Sequence, residues 1–506
     1  MNQYLLFVVA LIPIVFLVVM LGFLNKPAHK TVLWSVLIAS VLAIVFFQLS
    51  LIEVASAILE GASYGFWPIM VTIIGALFTY NLAVHTNKMD TIKKILANIS
   101  SDSRIQVLVI AWAFGGFLEG VAGYGTAVAL PASLLALLGF DPMFAAVLCL
   151  IANTTPTAFG AVGIPVSTLA DLVQLDVYKL GYLIAIQSFI FTVIIPFVLV
   201  ALTGKGLKAL KGVVGITLVS GLAFALPQIF VARTLGAQLP SLIGGVVSLA
   251  ATIMVALLFY KDKATEKKLD PVSLKEAVLA WLPYILIVVL IVVTLPMVEP
   301  IFNVVDRVKT NVAIYQGNGA VAVTFKWLTT PGTIIIVATL ISGLIQGCPL
   351  REIFQVFVKT VLKMKKSIVT VLAIVALAKI MDYSGMVNAI AIILVAITGP
   401  FFPVISPIIG GLGTFITGSD TSANLLFGSL QTQVASSIQV SEYWLAAANT
   451  TGATLGKMIS PQSIAVAATA TNLVGKEGEI LKRVTKYCFP FIILLGVIVY
   501  VGSFIV

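Results

Sequence analysis

The chain has 506 residues, 60% of them hydrophobic and only 10% charged, with 30 Lys+Arg against 20 Asp+Glu and a formal net charge of +10. A soluble domain carries about 25% charged residues, and a chain this apolar has too few polar groups to coat a water-facing surface, so it is a membrane protein. Its apolar runs are continuous and of spanning length, which excludes an outer-membrane barrel of short alternating strands, and its basic residues are spread over short loops, which excludes nucleic acid as a partner.

Ordinary spans are predicted over 3–24, 31–52, 66–86, 178–203, 212–232, 240–260, 279–301, 331–349, 367–382 and 487–506. The first lacks a charged leader and a small-residue cleavage site and is expected to be retained. Counting from an N-terminus outside, the groups Lys26/Lys30, Lys88/Lys93/Lys94/Arg104 and Lys205/Lys208/Lys211 fall in the cytoplasm, as basic loops should. So do Lys261/Lys263/Lys267/Lys268/Lys275, Arg351–Lys366 and Lys476–Lys486. Only 302–330, with Asp306, Arg307, Lys309 and Lys326, falls outside against this bias. Cys149, Cys348 and Cys488 sit unspaced in apolar stretches and read as packing residues, with neither disulfide nor zinc expected. With only 2 histidines a multi-histidine metal centre is not expected, nor is any other metal or cofactor.

Residues 105–170 and 403–474 do not read as simple spans. Both are apolar yet rich in Gly, Pro, Asn, Ser and Thr, and each contains an acidic residue. Interrupted backbone at membrane depth survives only inside protein or beside a wet cavity, and re-entrant hairpins keep the flanking loops on consistent sides. The two regions are also copies. Gly115–Thr126 aligns with Gly410–Thr421 at an offset of 295 residues, and Ala152-Asn153-Thr154-Thr155 with Ala448-Asn449-Thr450-Thr451 at 296. Gly160 and Pro165 then match Gly456 and Pro461, and upstream Val71-Thr72 can be laid on Val369-Thr370. Acidic residues precede 66–86 and lysines follow it, whereas basic residues precede 367–382, so the copies are expected to be inverted. The fold class is therefore an all-α polytopic membrane protein of two inverted repeats, each with a re-entrant hairpin and an interrupted helix. It divides into N-terminal scaffold helices (1–60), repeat 1 (61–175), connecting scaffold helices (176–357), repeat 2 (358–474) and a C-terminal helix (475–506). Whether 385–402 spans is left open by the sequence.

Inverted repeats with broken helices are a secondary-transporter signature, the solute being held between them. Asn153, Thr154 and Thr155, and Asn449, Thr450 and Thr451, each precede helix breakers and are read as unwound points where free N–H groups and polar side chains face a small anion. Gly123, Gly125, Thr126, Ser419, Thr421 and Ser422 sit at the hairpin tips, where glycine permits close backbone approach to a ligand. Glu119 and Asp420 are read as proton-coupling carboxylates, because desolvation lets a buried carboxyl keep a proton near neutral pH. Lys457 balances the charge. The alternative is that Asp420 caps the following helix and pairs with Lys457. Lys379 and Asp382 are expected to form a local pair, His85 to be interfacial, and Trp281, Trp327 and Trp444 to sit in interfacial belts.

The stretches around Glu119, Phe140-Asp141-Pro142, Ala152–Pro165, Gly418-Ser419-Asp420 and Ala448–Ala465 resemble the bacterial lactate permease family over essentially the whole chain. The resemblance implies a proton-coupled symporter of L-lactate, D-lactate and glycolate in the bacterial inner membrane. It also implies kinship with the ion transporter superfamily, and hence an elevator-like motion of a mobile domain, with a homodimer left open. Two other readings compete. A sodium-coupled carboxylate or dicarboxylate carrier of similar architecture is favoured by the Asn/Thr-rich breaks. An intramembrane aspartyl protease using Asp382 and Asp420 lacks the second glycine of its motif and leaves the duplicated Asn-Thr-Thr unexplained. A transporter without catalytic residues is the reading taken forward.

Overall fold

The computed structural model describes residues 2–24, 26–97, 99–123, 125–204, 206–260, 272–317, 320 and 322–506. Tyr124 and the basic positions Lys205, Lys261, Lys263, Lys267 and Lys268 lie outside the described residues. The chain runs through α1 (Gln3–Leu17), α2 (Ala28–Phe47), α3 (Leu51–Tyr64), α4 (Val71–His85) and α5 (Lys88–Ala97). Next come α6 (Ser103–Val107), α7 (Gly115–Val121), α8 (Thr126–Leu137), α9 (Pro142–Ala152) and α10 (Gly160–Val173). Long helices follow: α11 (Val177–Thr203), α12 (Val214–Thr234), α13 (Pro240–Phe259) and α14 (Leu274–Val293), then the short α15 (Glu299–Val305). The last third holds α16 (Pro331–Ile345), α17 (Leu350–Tyr383), α18 (Met386–Thr398), α19 (Phe402–Thr417), α20 (Asp420–Ser437), α21 (Glu442–Lys457), α22 (Pro461–Ala470) and α23 (Glu477–Gly502). Among the described residues 11 helical stretches are long and apolar enough to cross a membrane.

Several predicted spans are redrawn, each for a local reason. The span 31–52 ends early because Gln48 takes a left-handed conformation (φ 62°) and Ser50 and Glu53 form a capping box that starts α3. Glu53 and Glu60, expected in a loop, are therefore helical. From α3 the chain continues into α4 through a bend at Trp67 (φ −121°, ψ 117°), the residue before Pro68, where helical backbone is disfavoured. The predicted 367–382 is the end of α17, a helix of 34 residues and about 50 Å. No Gly or Pro interrupts it, so Arg351 to Lys366 extend the same helix instead of forming a loop. The open question at 385–402 resolves into α18, which has 13 residues, about 20 Å, and stops at Gly399 (φ 51°). Alone it is shorter than a hydrocarbon core of about 30 Å.

One element departs from an all-α expectation. Lys309–Val312 (β1) and Val323–Lys326 (β2) pair antiparallel with Lys309 opposite Lys326, and Asp306 bonds both lysines, at 2.7 and 3.6 Å. Of the expected domain limits, 60/61 falls within α3 and 357/358 within α17, while the other two fall in turns.

The core that positions the site is built from crossed helices. α19 lies on α21, the return helix α20 lies on α10, and the return helix α8 lies on α22. Small residues set how closely α19 and α21 approach. A Cβ on Gly410 would stand 2.0 Å from the Asn449 carbonyl oxygen, one on Gly452 2.1 Å from that of Pro407, and one on Gly456 2.3 Å from that of Gly411. Bare backbone on both sides gives the close contact that drives helix association in lipid.

Candidate functional site

Residues 105–170 and 403–474 each contain a helical hairpin with a tight tip. Positive φ at Gly123 (57°) and Gly125 (85°) turns the chain between α7 and α8, and Gly418 (72°) does so between α19 and α20. The Thr126 hydroxyl donates to the Gly123 carbonyl at 2.8 Å, and Ser419 caps α20 by accepting from the Ser422 N–H at 3.3 Å. After α9 the chain passes through Asn153 and Thr154 into a short 3₁₀ turn. It then enters α10 through Ala161, Val162 and Gly163, all left-handed (φ 44°, 58° and 74°). Left-handed backbone costs a non-glycine residue about 1–2 kcal/mol. The turn is held from outside: a Cβ on Gly163 would lie 1.9 Å from the Ala237 carbonyl oxygen.

The tips and the breaks line one cavity of about 460 Å³. Glu119, Gly123, Gly125, Ser419, Asp420, Thr421, Ser422 and Lys457 all contribute to its wall, with Lys26 and Lys366 on the same wall. Glu119 is 2% exposed. Its Oε1 is pressed against the Gly160 backbone, where a Cβ would come within 2.6 Å, and its Oε2 has no hydrogen-bond partner among the described residues. Lys457 and Asp420 are the charges that act on it, and the Asn153 amide is its polar neighbour. Asp420 does not cap α20, a task Ser419 performs. One oxygen of Asp420 accepts from Thr414 Oγ1 at 3.1 Å, and the other has no hydrogen-bond partner among the described residues. Lys457 acts on Asp420 as it does on Glu119.

The Asn-Thr-Thr pairs are buried behind this cavity and are absent from its wall. The first pair marks a real break. The second does not: α21 runs unbroken through Asn449, Thr450 and Thr451 to Lys457, and the interruption follows at Met458–Ser460. The reason lies in a partner the sequence reading missed. Asn424 of α20 accepts from Asn449 Nδ2 at 3.0 Å and from Thr450 Oγ1 at 3.1 Å. Its own amide donates to the Pro165 carbonyl at 2.9 Å, and Gln431 donates to Asn449 Oδ1 at 3.1 Å. The polar side chains satisfy one another across helices, so the backbone keeps its helical bonds. A signal was available, since Asn424 lies one turn beyond Asp420 on the same helix face. In the first position Asn153 has no counterpart of Asn424, its polar neighbour being Glu119, and Thr155 Oγ1 has no hydrogen-bond partner among the described residues.

A second cavity, of about 590 Å³, lies at the other ends of the same helices. α10 reaches it with Asp171 and α17 with Lys379 and Tyr383, whereas Gly160 and Lys366 of those helices line the first. Glu60 organises it, accepting from Lys379 Nζ at 2.9 Å, Tyr383 OH at 2.6 Å and the Tyr315 N–H at 3.2 Å. Lys379 thus pairs with Glu60 rather than with Asp382. The Tyr64 hydroxyl donates to Asp171 Oδ2 at 2.5 Å, tying α3 to α10. Ile164 lines both cavities. Trp444, expected at an interface, is buried and donates to the Val499 carbonyl at 2.8 Å.

Comparison with known proteins places these features in context. The family model described as L-lactate permease matches residues 6–506. An L-lactate permease of Streptococcus iniae is 49% identical, over 87% of this chain and 93% of that protein. The glycolate permease GlcA of Escherichia coli K12 is 35% identical, over 98% of this chain and 95% of that protein. The L-lactate permease of the same strain is 33% identical, over 100% and 97%. Among solved structures, the Alcanivorax borkumensis YdaH transporter superposes with a TM-score of 0.54 at 15% identity, covering 94% of this chain and 98% of that one. Neisseria gonorrhoeae MtrF superposes at 0.51 and 12%, covering 97% of each. At those identities the likeness is one of fold.

Proposed function

The chain belongs to the L-lactate permease family, and from that premise we propose that it is a secondary active transporter carrying lactate and glycolate with protons across the bacterial inner membrane. The observation that carries this reading is the cavity on which Glu119, Asp420 and Lys457 converge with both hairpin tips. With both carboxylates ionised, these three groups sum to one negative charge, and a monocarboxylate would enter against it. Protonating Glu119 brings these three groups to zero and leaves Lys26 and Lys366 as net positive charge on the wall, after which Lys457 and the hydroxyls of Ser419, Thr421 and Ser422 face the anion. Proton and anion then favour each other's binding, which is the linkage a symporter requires.

Energetics point the same way. A lone anion entering against a negative interior pays about 2.3 kcal/mol per 100 mV, and one accompanying proton cancels that cost. The repeats act as an inverted pair, hairpins and broken helices moving as an elevator-like body against the remaining helices. The N-terminus lies outside, so the cavity reached by Lys26 and Lys366 faces the cytoplasm. The Tyr64–Asp171 contact then closes the outer side and breaks when the site turns outward. Glu119, Asp420 and Lys457 handle charge, while Gly123, Gly125, Ser419, Thr421 and Ser422 form the cradle, with Thr126 bracing the first tip through the Gly123 carbonyl. Asn153–Thr155 and Asn449–Thr451 support it from behind.

The test is uptake of labelled lactate into proteoliposomes under an imposed pH gradient. Accumulation that a protonophore collapses, and that Glu119→Gln loses while still exchanging lactate across the bilayer, is the expected result. A sodium-coupled reading draws on one observation, that Asn153 Oδ1, Thr155 Oγ1 and Thr451 Oγ1 have no hydrogen-bond partner among the described residues. Uptake indifferent to the protonophore but abolished by removing sodium selects it and overturns proton coupling.

A further inference from the structure

We propose that the chain carries a metal site for Zn(II) or a similar borderline-soft divalent cation, formed by His85, Cys348 and Glu352 at the basic end of α4. Two segments far apart in sequence meet there: the last residue of α4, and the turn between α16 and α17 with the first turn of α17 that follows it. His85 Nε2 lies 2.9 Å from Glu352 Oε2, Cys348 Sγ lies 3.9 Å from the same oxygen, and the three donor atoms all fall within 4.8 Å of one another. Zinc binds sulfur at about 2.3 Å and nitrogen or oxygen at about 2.0–2.2 Å. Tetrahedral ligation therefore separates donor atoms by about 3.3–3.8 Å, and small side-chain rotations bring this triad to that spacing.

The donors are held in place before any ion arrives. Cys348 packs with Phe78, Leu82, Ile353 and Val356 in an apolar cluster separate from the main core. Its turn is pinned on both sides, because Gln346 donates to the Leu279 carbonyl at 2.8 Å and accepts from Thr86 Oγ1 at 3.2 Å. His85 closes the C-terminus of α4, where the helix dipole favours positive charge. His85 and Glu352 are half exposed, which leaves the fourth position to water and gives the ion an entry path. A mixed S, N, O donor set selects zinc-like ions over magnesium and calcium, which take oxygen ligands. The expectation of no multi-histidine centre does not reach a site that uses one histidine. Bound metal would clamp the end of α4 to the α16–α17 turn, away from the Glu119 cavity.

The experiment titrates the metal-free, tag-free full-length protein in detergent with Zn²⁺, using Mg²⁺ as comparator and Cd²⁺ as a spectroscopic probe. One Zn²⁺ is expected to bind per chain in preference to Mg²⁺, and Cd²⁺ to give an ultraviolet thiolate-to-metal band. Cys348→Ser should remove that band, and Cys348→Ser, His85→Gln and Glu352→Gln should each weaken Zn²⁺ binding at least about tenfold. Retained lactate uptake by the variants certifies their folding. If Zn²⁺ shows no saturable binding, or binds Cys348→Ser as tightly as the parent protein, the proposal falls and His85–Glu352 is an ordinary surface ion pair.

Discussion

Gly160→Ala tests whether the position of Glu119 governs transport. A methyl group at residue 160 would stand 2.6 Å from Glu119 Oε1 and 3.3 Å from both its Cδ and Cγ. Ordinary contact begins at about 3.4 Å, so the carboxylate must retreat by roughly 0.8 Å, and the whole end of the side chain moves with it. Rotation changes its distance from Lys457 and Asp420, the charges that act on it. A misplacement of about 1 Å in a working group can cost about 10²-fold. Gly160 has ordinary backbone (φ −66°), so the substitution brings no conformational penalty of its own. Uptake driven by a pH gradient in proteoliposomes should therefore fall by about 10- to 100-fold, while expression and melting temperature stay near those of the parent. Full gradient-driven uptake by Gly160→Ala would refute the reasoning, because the cavity would then tolerate a displaced carboxylate.

Other outcomes follow from the same geometry. Asn424→Leu keeps the side-chain volume but strips partners from Asn449 Nδ2 and the Pro165 carbonyl, both buried. At about 1–3 kcal/mol for each orphaned group, the variant should melt measurably lower and raise KM for lactate; an unchanged melting curve counts against the buried network. Ile164 lines both cavities, so Ile164→Cys should react with an impermeant thiol reagent from either side of the membrane, at rates that lactate shifts in opposite directions. Labelling from one side only would argue against a barrier at that residue. Glu60→Gln weakens the charge clamp on Lys379 and should favour outward opening, seen as faster modification of a cysteine placed at Thr168. Gly215→Ala serves as a control: a Cβ there meets nothing within 4 Å, so helix propensity alone should stabilise α12 by up to about 1 kcal/mol with uptake unchanged.

Local composition determined a good deal of this protein. Apolar run length fixed that it lives in a membrane and where most long helices lie, because solvation in lipid is a property of the segment itself. The glycines at 123, 125 and 418 announced tight turns, because backbone with positive φ favours glycine whatever surrounds it. Glu119, Asp420 and Lys457 stood out in the sequence because a charge in an apolar stretch is costly unless it has a use or a partner, and the fold brings all three to one cavity. Partners, by contrast, were decided by tertiary structure. Asn449 and Thr450 look like helix-breaking residues in isolation, yet Asn424 satisfies them and α21 stays continuous. Lys379 had a carboxylate one turn away and chose Glu60, more than 300 residues distant in the chain. His85, Cys348 and Glu352 had no common pattern at all until α4 and α17 were packed together. A hydrogen bond or an ion pair depends on which surfaces meet, and only the packing of helices, set here by small residues such as Gly410, Gly452 and Gly456, decides that.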